Sequence, residues 1–122
     1  MSVISEYSFS GCSVLASADI SGATAIKTNV FYYCRQLTEI TIPAAVTEIG
    51  SYAFTQCTGI KRVVFLGKPN IYSSAFNACT GIEDIYVSWN YNEVSGAPWG
   101  AENATIHYLN EGWKDTLLPS GE

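Results

Sequence analysis

A four-residue signature decides what this chain can fold into: Phe-x-x-Cys occurs at Phe9/Cys12, Phe31/Cys34, Phe54/Cys57 and Phe76/Cys79. The step from one cysteine to the next is the same each time, except that Cys34 to Cys57 is longer by a single position. The rest of each unit keeps that register. Three residues after each Cys come Leu15, Leu37, Ile60 and Ile82. Six and eight residues after it come Ala18 and Ile20, Ile40 and Ile42, Val63 and Phe65, Ile85 and Val87. That alternation has the period of a half-buried strand. Five residues before each Phe runs a further ladder, Ile4, Ile26, Ile49 and Ile71. A unit this small cannot bury its apolar side alone, so successive units must stack.

The single extra residue of the longer unit lies near Pro43, Ala44 and Ala45, because Ile42 to Ile49 spans seven steps where Ile20 to Ile26 and Phe65 to Ile71 span six. Insertions belong in such loops. Stretches such as Ser51-Tyr52-Ala53-Phe54-Thr55-Gln56-Cys57 are too short for a full helix and read as one helical or 3-10 turn. The expected fold is a strand-dominated α/β solenoid of about four coils, near 4–25, 26–48, 49–70 and 71–93. Each coil is a strand, a loop, a return stretch and a short helical turn. Residues 94–109 are expected to form a C-terminal cap, completing a solenoid over 1–109, with 110–122 as a tail loosely ordered beyond Trp113.

The stretch Phe31-Tyr32-Tyr33-Cys34-Arg35-Gln36-Leu37-Thr38-Glu39-Ile40-Thr41-Ile42-Pro43, continued to Ile49-Gly50-Ser51-Tyr52-Ala53, resembles the BspA-like, Treponema-type leucine-rich repeat. The resemblance runs from about residue 4 to residue 93. It implies a right-handed leucine-rich-repeat solenoid, non-enzymatic, of the kind found in bacterial surface proteins that attach to host matrix or other cells. The first and third repeats depart from the pattern, with Ser21 and Leu66 where Pro43 stands and Lys27 and Tyr72 where Gly50 stands. The segment Gly96-Ala97-Pro98-Trp99-Gly100 through Tyr108 is similar to endings of such repeats in gut bacteria and their phages.

Composition narrows the function classes. Apolar residues make up 48% and charged residues 14%, which suits a packed domain and not a disordered acidic tail. A net charge of -5 with only six Lys and Arg argues against nucleic acid, whose phosphates need clustered cations. No run approaches the roughly 18 apolar residues of a membrane span. The N-terminus has neither a basic nor an apolar signal region, so no signal peptide is expected. A cell-surface or secreted location follows from the resemblance, with a virion as the alternative.

The four cysteines recur at one position of the coil and form a column with neighbours about 4.8 Å apart. Such a column favours buried free thiols over disulfides, and over zinc, whose ligands converge on one point. No cofactor and no metal are expected. His107, the sole histidine, is placed outward on a final strand in which Ile106 points inward; with no partner at a catalytic spacing, no catalytic residue is assigned. Asn103-Ala104-Thr105 matches a glycosylation sequon but reads as a turn before that strand.

The outward strand positions supply a candidate ligand-binding face: Thr38, Glu39 and Thr41, then Lys61, Arg62 and Val64, then Glu83, Asp84 and Tyr86. Its plainer reading is a solvated ladder of weak cross-strand ion pairs. The aromatic group Trp89, Tyr91, Trp99, Tyr108 and Trp113 either covers the end of the core or offers ring planes to a sugar or protein. The expected function is a protein-interaction or adhesion module for a protein or matrix ligand. The alternatives are a phage structural accessory protein and a carbohydrate-binding module. Ile4 already belongs to the ladder and leaves almost no residues for an N-terminal cap, so self-association through that coil, or a longer array, is also expected.

Overall fold

The computed structural model describes residues 3–4, 20, 22–72, 74–90, 99–109 and 112–113. Among the described residues, eight short strands are laid down in chain order: β1 (Val3–Ile4), β2 (Ala25–Ile26), β3 (Glu39–Ile42), β4 (Glu48–Ile49), β5 (Arg62–Phe65), β6 (Asn70–Ile71), β7 (Asp84–Tyr86) and β8 (Thr105–His107). They form two parallel four-stranded sheets, ordered β1-β2-β4-β6 and β3-β5-β7-β8. Strands alternate between the sheets along most of the chain, so each circuit of the backbone adds one strand to each. That is a parallel β-solenoid.

The isoleucine ladder is the register of the first sheet: Ile4 pairs with Ile26, Ile26 with Ile49, and Ile49 with Ile71. In the second sheet Ile40 pairs with Val63, Val63 with Ile85, and Ile85 with Ile106. The inserted residue can be seen in the offsets. The step from Glu39 to its partner Arg62 is one position longer than the step from Glu48 to its partner Asn70, so the surplus lies between β3 and β4 as the sequence requires. The expected return stretch is itself a sheet, although its strands are only two residues long.

One expectation is corrected. The short helical turns are not helical: no helix occurs in residues 22–72 or 74–90. Each such stretch is a chain of tight turns closed by bonds from residue i+3 back to residue i, as in Cys34 N–H to Phe31 O, Cys57 N–H to Phe54 O and Cys79 N–H to Phe76 O. The third residue of each of these turns, Tyr33, Gln56 or Ala78, has φ of 66°, 66° and 62°. A turn with positive φ at that position alone is of type II, which normally calls for glycine. The turns hydrogen-bond from coil to coil, Phe31 N–H to Ala53 O and Phe54 N–H to Ala75 O at 2.8 Å each, making a third stacked column beside the sheets. These inter-coil bonds satisfy backbone groups that would otherwise be buried and unpaired.

The C-terminal segment, expected as a cap that ends in a strand, carries β8. Strand β8 continues the second sheet in parallel, Asp84 pairing with Thr105 and Tyr86 with His107. The step is one position shorter than that from Arg62 to Asp84.

Between the sheets lies one core. Phe31, Phe54 and Phe76 are fully buried and stacked, with ring centroids 5.0 Å apart at both steps and planes within 9°. The spacing matches that of neighbouring strands, because each ring is carried by its own coil. Glycine is required where coils touch backbone to backbone. A Cβ on Gly59 would lie 2.3 Å from the Arg35 carbonyl oxygen, and one on Gly81 would lie 2.4 Å from that of Thr58.

Candidate functional site

The outer side of β3-β5-β7-β8 gathers the residues singled out from the sequence. Strand β3 alternates exposed and buried residues, which turns Glu39 and Thr41 to solvent and Ile40 and Ile42 to the core. Parallel register then sets Glu39, Arg62, Asp84 and Thr105 in one row and Thr41, Val64, Tyr86 and His107 in another. Thr38, Glu39, Lys61, Arg62, Glu83, Asp84 and Tyr86 line a shallow open depression of about 350 Å³. All seven belong to the expected face.

Its charges are paired along the sheet. Arg62 donates to Glu39 Oε1 through Nε at 3.2 Å and also through Nη2. Lys61 Nζ stands 3.9 Å from Glu83 Oε2, and His107 Nε2 is 2.8 Å from Asp84 Oδ1. These groups remain in contact with water, so each pair contributes at most about 1 kcal/mol and mainly holds long side chains in place. Val64 departs from expectation. It occupies the outward phase yet is only 5% exposed, because its neighbours in register are Thr41 on one side and the large ring of Tyr86 on the other.

The expectation that His107 is a base without a partner is corrected as well. Besides its contact with Asp84 it stacks on Tyr86, ring centroids 4.5 Å apart and planes 15° from parallel. The one sequence signal for this rung is the inward phase of Ile106, which places His107 one strand beyond Tyr86. Trp113 closes the row, its ring 5.4 Å from that of Tyr86 and its Nε1 donating to the Val87 carbonyl at 2.8 Å.

The tryptophans are interior. Trp89 and Trp99 are 2% exposed and Trp113 is 6% exposed. Trp89 and Trp99 meet edge to face at 6.1 Å and both pack on Phe65. A sugar needs an open ring plane, so the carbohydrate reading of these three residues fails. Tyr108 is half-buried against the same core, and Tyr91 lies outside the described residues.

Cys34, Cys57 and Cys79 are buried free thiols in one column; Phe9 and Cys12 lie outside the described residues. Cys57 Sγ donates to the Phe31 carbonyl at 2.8 Å and Cys79 Sγ to that of Phe54 at 2.7 Å. The hydrogen-bonded Cys34 thiol acts to lower the Cys57 pKa, but the Cys79 thiol and burial outweigh it and push Cys57 up to about 12. Such a thiol stays protonated and unreactive at neutral pH. Among the described residues, no helix is long and apolar enough to cross a membrane.

Stacked parallel strands, a repeating inward set and one ordered outer face define a leucine-rich-repeat type of solenoid. Residues 1–98 match the family described as BspA type leucine rich repeat region (6 copies), and the chain belongs to that family. No curated protein and no solved structure matches it.

Proposed function

We propose that the chain is a non-catalytic protein-interaction module of the adhesion type, and that it binds through the outer face of β3-β5-β7-β8. The observation that carries this reading is the depression lined by Thr38, Glu39, Lys61, Arg62, Glu83, Asp84 and Tyr86. Three coils contribute to it side by side, and the ion pairs fix its long side chains before any partner arrives, which lowers the entropy lost on binding. Arg62 and Tyr86 are of the residue types that most often dominate protein contacts. The family supports an interaction role, and extended solenoid surfaces commonly serve it.

The test is binding of the labelled chain to an array of extracellular matrix proteins and glycans, alongside K61E/R62E and K68E. Lys68 is exposed in the loop after β5, away from the depression. Binding to a protein on the array, weakened about tenfold or more by K61E/R62E (roughly 1.4 kcal/mol) and unchanged by K68E, supports the proposal. Equal effects of the two variants, or signal on glycans alone, overturns it. Recovery of the chain only from purified virus particles would replace adhesion with an assembly role.

A further inference from the structure

The charges on the outer face are sorted by strand. Glu39 places one negative charge on β3, Lys61 and Arg62 place two positive charges on or beside β5, and Glu83 and Asp84 place two negative charges on or beside β7. Lys61 and Glu83 extend furthest into solvent, with side chains 62% and 68% exposed. Because β5 and β7 are neighbours in register, the positive and negative pairs stand level with one another along the strand direction.

A surface of this kind is complementary to itself. Rotating a copy by half a turn about an axis parallel to the strands, lying over the face midway between β5 and β7, sets the β5 of each molecule opposite the β7 of the other. The level of each residue along the strand is preserved. Lys61 and Arg62 of one copy then face Glu83 and Asp84 of the second copy, and the same contact is made twice. Val64 is covered within its own sheet, so the contact between the two copies is made by the charged rows and the part-exposed Tyr86. Glu39, on β3, falls opposite the Thr105 and His107 end of the sheet, so no like charges are brought together.

We infer that the partner of this face is a second copy of the chain, paired face to face about a two-fold axis between β5 and β7. This rests on the reading of the face as a binding surface and names its occupant. A closed two-fold contact uses one patch on both partners, as this pattern requires. Charge complementarity selects the register, because a shift by one strand sets Lys61 and Arg62 against their own counterparts. The pairing is weak. Four strands about 4.8 Å apart and four residues of about 3.3 Å span roughly 250 Å² in projection, below the ~800 Å² per partner of a standard stable interface. Each chain also carries a net charge of -5, whose long-range repulsion is screened beyond about 8 Å at physiological salt.

The experiment is sedimentation equilibrium of the full chain up to about 1 mM at physiological salt, with K61E/R62E, with E83K/D84K, and with the two variants mixed in equal amounts. The expected result is a concentration-dependent dimer for the unmodified chain and at least tenfold weaker association for each variant alone. The mixture should recover the dimer, since both of its charge contacts are again opposite in sign. If either variant is unfolded by circular dichroism, carbodiimide coupling of mixed ¹⁴N and ¹⁵N chains replaces the comparison. A Lys61 to Glu83 cross-link joining peptides of different isotope content then supports the pairing, and one confined to single-isotope pairs overturns it. A chain that stays monomeric at 1 mM overturns it, as does a dimer indifferent to the variants or a mixture that fails to recover. A monomer that still binds an array protein through a contact sensitive to K61E/R62E overturns self-pairing and leaves the interaction reading intact.

Discussion

Replacing Ala78 by glycine should stabilise this protein, against the usual effect of introducing glycine. Ala78 is the third residue of the Phe76–Cys79 turn, with φ of 62°, and its side chain is half-buried. A left-handed backbone destabilises an L-residue by about 1–2 kcal/mol, which glycine avoids. Glycine's greater freedom in the unfolded chain costs about 0.5–1 kcal/mol. Loss of the half-buried methyl costs about 0.4 kcal/mol more, which leaves a net gain of about 0.1–0.6 kcal/mol, or up to roughly 3 °C in Tm for a domain of this size. Ala75→Gly, three residues earlier, is the matched control. Ala75 is fully buried and does not have positive φ, so the same change removes a buried methyl and adds unfolded-state entropy, for a loss of about 1.5 kcal/mol. Thermal and urea unfolding followed by circular dichroism would measure both. If Ala78→Gly lowers stability as much as Ala75→Gly does, the left-handed turn column is not present in solution.

Gly59→Ala should destabilise by about 1–3 kcal/mol in urea titration, because the added methyl lies 2.3 Å from the Arg35 carbonyl oxygen and the coils must part to admit it. Thr55→Val should raise stability by about 1 kcal/mol in the same assay, since the Thr55 hydroxyl is buried without a hydrogen-bond partner and the replacement keeps its shape. The thiol of Cys57 makes stability depend on alkaline pH. Its folded pKa, about 12, is raised above the ordinary 9.0, so its contribution is complete below pH 9 and is lost as pH rises towards 12. The slope reaches about 1.4 kcal/mol per pH unit, and Cys57→Ala should flatten it in stability measurements taken across that window.

Much of the architecture is legible in the sequence because a fixed interval specifies both the inward set and its stacking partner. Once Ile26, Ile49 and Ile71 recur with Ile40, Val63 and Ile85, parallel register leaves only one way to bring them together, and the structure pairs them so. The turns are hidden for a chemical reason. Tyr33, Gln56 and Ala78 occupy left-handed positions where glycine or asparagine would be the signal, so the stretch reads as helical. Alternation predicts which way a side chain points but not what stands beside it, and Val64 is therefore outward and yet covered. The same limit applies to the tryptophans. Their clustering near the C-terminal end of the described sheet is visible, whereas their burial depends on Phe65 and Phe76, which come from earlier coils. The partner of His107 is obscured by a period that contracts by one position at the last strand.

The stacking of coils stands or falls on methyl and amide nuclear Overhauser contacts in the folded protein. Two ladders should be seen, Ile26 to Ile49 to Ile71 and Ile40 to Val63 to Ile85 to Ile106, together with ring contacts from Phe31 to Phe54 to Phe76. Contacts displaced by one residue along either ladder, or a Phe54 ring without neighbours from both adjoining coils, would mean that the repeats do not stack as described.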